Sequence, residues 1–252
     1  MTGMEKPDTG TGLTARIEPF DSFWEAPQNV EKGFDTFGKF YRDNYLKHLP
    51  KNRDANILVI SCGYGYFVHL LKTVGYSSVS GIDSDPEKVR IAVEKGLNCT
   101  VEHAFAFLEN RPGSYDLIIA EQEINHLTKE EILIFLTLCR KNLVKGGTLL
   151  VHSLNGANPI TGSEALAQNF DHYNTLTEYS LRQILEHTGF VDVNVFPLNL
   201  YVFYNNPLNY VALLADRINA LFFRIHFILY GKHNRIFTKK IAAVSKKKET
   251  AG

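Results

Sequence analysis

A strict alternation that begins at Ala55 limits what this chain can fold into. Short apolar runs at 56–61, 78–82, 99–102, 115–120 and 148–152 are separated by stretches of helical spacing at 66–74, 86–95, 104–109 and 128–142. Runs that are apolar at nearly every position, not every second one, belong to strands covered on both faces. Strands of that kind alternating with helices predict a parallel sheet between two helical layers. The borders carry matching chemistry. Asp85-Pro86-Glu87 offers an N-cap, a proline at the first helical position and an acid in the first turn. Thr128-Lys129-Glu130-Glu131 is a capping box, and Gly146-Gly147 is expected in the turn before the fifth strand.

Upstream, Phe34, Phe37, Phe40, Tyr41 and Tyr45 recur at helical spacing and predict a helix over 30–49, stopped by Pro50. Downstream, a long polar loop is expected over 154–176. Thr177 then caps a helix to about His187, Gly189 ends it, and a strand resumes at 191–197. A loop of that length inside a compact domain is often functional. The 252 residues, 44% hydrophobic and 21% charged, suit one α/β domain over 30–252 behind a flexible leader and cap at 1–29.

The first run ends in Val59-Ile60-Ser61-Cys62-Gly63-Tyr64-Gly65 and passes straight into a helix. Glycines there let a backbone approach a ligand closely, and the N–H groups of a helix start favour anionic groups. The second run ends in Gly81-Ile82-Asp83. A carboxylate about 20 residues after the turn suits a two-oxygen grip on ribose hydroxyls. Each feature alone reads equally well as an ordinary turn and a turn cap; in this order and spacing they point to nucleoside binding. A dinucleotide fingerprint would carry a third glycine where Val68 stands, which disfavours a nicotinamide-dependent oxidoreductase.

Jointly, LVISCGYGYF, GIDSDPEKVRIA, SYDLIIAEQEINHL and LVKGGTLLVHSLNGANP resemble motifs of the class I S-adenosylmethionine-dependent methyltransferases, over about residues 30–205. The resemblance implies a Rossmann-like, doubly wound, mainly parallel seven-stranded α/β sheet with an antiparallel last strand, here Lys240 to Ser245. It also implies S-adenosyl-L-methionine as cofactor. Cofactor contacts are then expected from Ser61, Cys62, Gly63 and Gly65, from Asp83 and Ser84, and from His103, Ala104 and Phe105 after the third strand. Glu121 after the fourth strand and Arg42 of the first helix, facing the methionine carboxylate, complete the set. Two positions depart from the family. An acid usually stands two residues before the first glycine of the loop, and that first position is itself glycine; here the places hold Val59 and Ser61.

Methyl transfer is an in-line displacement that needs a placed nucleophile and often a base, a task that suits histidine. His172, in Asp171-His172-Tyr173-Asn174-Thr175-Leu176-Thr177, resembles a signature of related glycan-modifying and small-molecule methyltransferases. It is the first candidate base, and His126 after the fourth strand the second. His152, Asn155, Trp24 and Tyr41 are candidate acceptor contacts. Beside these stand plainer readings: histidines bonded within loops, and aromatics that merely pack an amphipathic helix. Some relatives hold a metal with Glu-x-x-Glu-His; the matching positions are Gln122, Asn125 and His126, so no metal is expected.

The net charge of zero hides an asymmetry: from Asn206 on, nine Lys/Arg face two acids, leaving the tail at +7 and the preceding 205 residues at −7. Residues 207–231 are apolar around most of a helical circumference, an insertion between strands six and seven. Asp216, Arg217, Arg224 and His226 break the run too often for a membrane span. It can dock on its own domain or a second subunit, lie on a membrane surface, or roof the acceptor pocket. Three cysteines make no disulfide framework, and the polar N-terminus has no signal-peptide core. The expectation is a cytoplasmic O-methyltransferase, peripheral at the membrane if 207–231 meets lipid, or a homodimer if it pairs. Its acceptor would be a small molecule or a glycoconjugate sugar, not nucleic acid, with glycan biosynthesis as the setting. The alternative, prompted by Val59, Ser61 and His103, is a catalytically weakened methyltransferase fold that serves binding or assembly.

Overall fold

In the computed structural model, residues 30–111, 113–120, 123–168, 172–199 and 208–248 are described. Seven strands form one sheet: β1 (Asn56–Ile60), β2 (Ser78–Asp83), β3 (Cys99–Val101), β4 (Tyr115–Ala120), β5 (Leu143–Leu154), β6 (Phe190–Leu198) and β7 (Lys240–Lys247). Their order is β3-β2-β1-β4-β5-β7-β6, with β7 antiparallel to both its neighbours and the pairs from β3 to β5 parallel.

The apolar runs are continuous because both sides of the sheet are covered. Ile57, Val59, Leu117, Ile119 and Leu150 face one cluster, shared with α1 (Val30–Tyr45), α2 (Tyr66–Thr73) and α3 (Pro86–Glu94). Leu58, Ile60, Ile118, Leu149 and Val151 face the other, shared with α4 (Ala104–Asn110), α6 (Lys129–Asn142) and α8 (Glu178–His187). The expected caps form. Asp85 accepts from the amides of Glu87 and Lys88, and Thr128 and Glu131 exchange both bonds of the capping box.

Three expectations are corrected. The helix over 30–49 ends at Tyr45 and tightens into a 3₁₀ turn, Leu46–His48. Gly146 and Gly147 lie inside β5, at a register shift against β4, not in a turn before it. A Cβ on Gly147 would sit 2.9 Å from the carbonyl oxygen of Val144 and 3.1 Å from that of Tyr115, so the bulge needs glycine there. The expected loop over 154–176 contains α7 (Thr161–Gln168) and a parallel bridge from Asn155 to Leu176. A one-turn helix, α5 (Glu123–His126), follows β4, and α9 (Leu208–Leu229) lies between β6 and β7 in the chain.

Candidate active site

β1 pairs in parallel with β2 and β4, so Ile60, Ile82 and Ala120 stand side by side at one edge. The segments that leave these residues therefore open onto the same crevice. Chain connections run from β1 towards β2 and β3 on one side and reach β4 and β5 on the other, the reversal at which ligands bind in open α/β sheets.

The loop after β1 turns by left-handed backbone: φ is 56° at Ser61, 52° at Gly63 and 81° at Gly65. Gly65 N–H closes the turn on the Cys62 carbonyl at 2.8 Å. A Cβ on Gly63 would meet nothing within 4 Å, so the crest is open to a ligand; one on Gly65 would strike Leu97 at 2.5 Å. Gly63 N–H donates to Asp83 at 2.8 Å, and Asp85 N–H donates to the other carboxylate oxygen at 2.9 Å. Burial pushes the Asp83 carboxyl above its usual range, while these two amides and Lys88 pull it back. Each oxygen holds one amide and keeps further acceptor sites. Ser84, beside it, is half-buried.

Sequence reasoning overlooked what lies beneath the loop. A Cβ on Gly81 would fall 2.8 Å from the Cys62 sulfur and 2.9 Å from that of Cys99, so the loop crosses β2 where only glycine fits. The Cys62 thiol is buried beside Cys99, and both the neighbouring thiol and the burial raise its pKa; it is packing material, not a nucleophile. Position 81 was visible as a glycine inside a strand, a sign of close approach.

Around this loop the candidates divide. His103 and Ala104 are half-buried at the start of α4. Phe105 is 1% exposed, its ring 5.8 Å from that of Phe135, so it packs the α4–α6 core and cannot lie on an adenine. Arg42 is exposed on α1. Tyr41 stacks on Phe67 at 4.2 Å and is buried, which makes it the seam between α1 and α2 instead of an acceptor contact. Phe37 repeats the contact on Tyr66 at 4.7 Å. Trp24 and Glu121 fall outside the described residues.

Across the crevice, His126 and His172 meet, with ring centroids 4.8 Å apart at 65°. His172 Nδ1 lies 2.8 Å from the Ala165 carbonyl, which can only accept, so Nδ1–H donates there and the bond fixes the ring. Buried asparagines assemble this side. Asn174 donates to the carbonyls of Ile124 and Leu127, and Tyr173 N–H donates to that of Asn125. Asn125 accepts from Ser153 Oγ at 3.0 Å and Leu154 N–H at 3.2 Å.

His152 and Asn155 are corrected from acceptor contacts to internal struts. His152 is 2% exposed and shares a 3.1 Å hydrogen bond with the Tyr45 hydroxyl; burial holds its imidazole well below the usual range, hence neutral. Asn155 is wholly buried. Its amide donates to the carbonyls of Ile236 and Thr238, both at 2.9 Å, and its oxygen accepts from Ala157 N–H at 3.0 Å.

Solved structures share this architecture. A SAM-dependent methyltransferase from Archaeoglobus fulgidus aligns over 88% of this chain and 100% of its own, with a TM-score of 0.64 at 19% identity. Phosphoethanolamine N-methyltransferase 2 of Haemonchus contortus, in complex with S-adenosyl-L-methionine, aligns over 90% of this chain and 59% of its own, with a TM-score of 0.58 at 16% identity. A SAM-dependent methyltransferase from Thermotoga maritima aligns over 88% and 95%, with a TM-score of 0.55 at 16% identity. Among curated protein sequences none matches. The profile of the methyltransferase domain family spans residues 34–195, from the first aromatic of α1 into β6, and the chain belongs to that family.

Proposed function

We propose that this methyltransferase uses S-adenosylmethionine to methylate a hydroxyl of a small molecule or of a glycoconjugate sugar, with His172 as general base. The contact of His172 with His126 across the crevice from the glycine loop carries this reading. The cofactor fits the residues present: the open crest at Gly63 leaves room for close approach, and the remaining acceptor sites of Asp83 suit two ribose hydroxyls. Bound there, the cofactor supplies an electrophilic methyl on a sulfonium, which leaves as a neutral thioether.

The chain's own residues must then manage the acceptor proton. An alcohol has to lose its proton as the new C–O bond forms, whereas a free amine can attack as it stands. A base at the crevice therefore favours oxygen. The bond from His172 Nδ1–H to the Ala165 carbonyl orients the ring, and His126 packs against it. The preference for a sugar draws on the resemblance of the 155–159 and 171–177 segments to glycan-modifying enzymes.

The test pairs two substitutions. S-adenosylhomocysteine release is followed over a panel of carbohydrate and phenolic acceptors, with cofactor affinity by calorimetry. His172→Ala is expected to lower kcat at least about 100-fold while cofactor affinity changes less than about twofold. Asp83→Ala is expected to weaken cofactor binding about 100-fold. Unchanged turnover in His172→Ala removes it from the mechanism, and no cofactor heat from folded wild-type protein overturns the proposal.

A further inference from the structure

Helix α9 sits on the domain without being absorbed by it. Phe223 and Phe227 rest on buried Phe237, with centroids 6.4 and 4.7 Å away, yet no described side chain of α9 is fully buried. The chain that returns from it is held firmly. Glu178 accepts from the amides of Arg235 and Ile236 at 3.0 and 3.1 Å, Tyr179 donates to the His233 carbonyl at 2.8 Å, and Asn158 donates to the Phe237 carbonyl at 2.7 Å. The helix is thus fixed in place with one face outward.

That face is apolar. Val211, Leu214, Ile218, Leu221, Ile225 and Ile228 are each between 51% and 62% exposed. Ten apolar side chains of α9 are more than half exposed, on the order of 1,000 Å² where the largest patch of a typical monomer is a few hundred. At 100° per residue, these six together with Phe222 and Leu229 cover an arc of about 120°. A seam made only to pair two helices is narrower.

The charges choose the occupant. The exposed ionic side chains of the helix are Arg217 and Arg224, two turns apart on one flank, and Lys232, Arg235 and Lys239 follow, all exposed. The helix's one acid, Asp216, is half-buried towards the domain, with Arg217 and Lys239 near it. Pairing two copies antiparallel along the arc would bring Arg217 of one against Arg224 of the other. An anionic surface accepts every one of these charges, and arginine stems can lie along the apolar arc with their heads in the headgroups.

We propose that α9 is a monotopic docking helix that lies in the surface of an anionic bilayer, its Val211–Ile228 arc among the acyl chains and its basic flank among the headgroups. No described helix is long and apolar enough to cross a membrane, so the contact is parallel to the surface. Asn155 and Asn158 tie the segment that anchors α9 to the loop before His172, so docking helix and acceptor side move as one piece. The inference stands apart from the choice of acceptor.

The experiment is co-sedimentation of the full chain with phosphatidylcholine vesicles, with and without phosphatidylglycerol. Partition onto the phosphatidylglycerol vesicles alone is expected, weakened by salt. Ile218→Glu with Leu221→Glu should lower the partition coefficient by more than about 100-fold, and Arg217→Gln with Arg224→Gln by about 30-fold. Because these side chains are exposed, both variants should keep the wild-type melting temperature and S-adenosylhomocysteine affinity. Failure of folded wild-type protein to partition overturns the proposal. So does a concentration-dependent dimer, dissolved by Leu221→Glu, in a protein that ignores vesicles: a second copy would then be the occupant.

Discussion

The two walls of the crevice are built by different means. On the wall of β1 and β2 the backbone does the shaping: three left-handed residues, a glycine crossing at Gly81, and two amides on Asp83, all within 25 residues of chain. On the wall of β4 and β5, side-chain amides do it. Asn125, Asn155, Asn158 and Asn174 are all buried, and each reaches backbone groups that the local chain leaves open. A wall set by local dihedrals tolerates change far away. A wall set by buried polar bonds across 80 residues of sequence fails when either end is lost, because each orphaned group costs its full desolvation.

The sharpest break of this contrast is Asn155→Ala. It takes the donor from two half-buried carbonyls and the acceptor from one buried N–H, and it should lower unfolding free energy by about 2 to 3 kcal/mol. Urea denaturation followed by circular dichroism measures it. A loss below about 1 kcal/mol would mean that water replaces the amide, and the second wall would be looser than its bonds imply.

The next largest effect concerns protons. His152, on β5, is bonded to Tyr45 of α1 and held neutral by burial, with the charge of Lys240 adding to the effect. Above pH 6.5 the ring is neutral folded and unfolded alike. Below it the unfolded chain takes a proton that the folded one refuses, so stability falls as pH drops, by about 1.4 kcal/mol per unit until the depressed folded pKa is reached. His48, also lowered by burial, acts in the same sense. Asp83 acts oppositely: its raised pKa favours the fold in acid, and that advantage is lost as pH rises through the raised value. Unfolding free energies from pH 7 to 5 should therefore slope downward, and His152→Gln should remove about one proton's worth of slope. An unchanged slope would assign it to other groups.

The same division explains what the amino-acid sequence revealed. Strands β1 and β4 were legible within one residue because burial on both faces writes itself as a nearly unbroken apolar run. The glycine loop and Asp83 were legible because their geometry is local. His152 and Asn155 look like polar residues at a strand end; Tyr45 of α1 covers the first, and residues 236–238 cover the second. Nothing near positions 152–155 announces a partner so far along the chain. Tyr41 and Phe105 stand near the site in sequence, yet helix phase turns both rings into the core. Helix α7 was hidden for another reason: its eight residues give too few repeats for a period to show.

The smallest effect is the most informative about the first wall. Ser61 holds φ at 56°, where a side chain costs about 1 to 2 kcal/mol and glycine almost nothing. Ser61→Gly should raise unfolding free energy by about 0.5 to 1 kcal/mol once the added freedom of the unfolded chain is subtracted. Measured beside S-adenosylhomocysteine affinity, the result divides two accounts of the strain. A stabler protein with unchanged affinity makes Ser61 a tolerated substitution in a loop shaped by Gly63 and Gly65 alone. A stabler protein that binds several-fold more weakly makes the serine hydroxyl part of the site, its strain retained for the ligand.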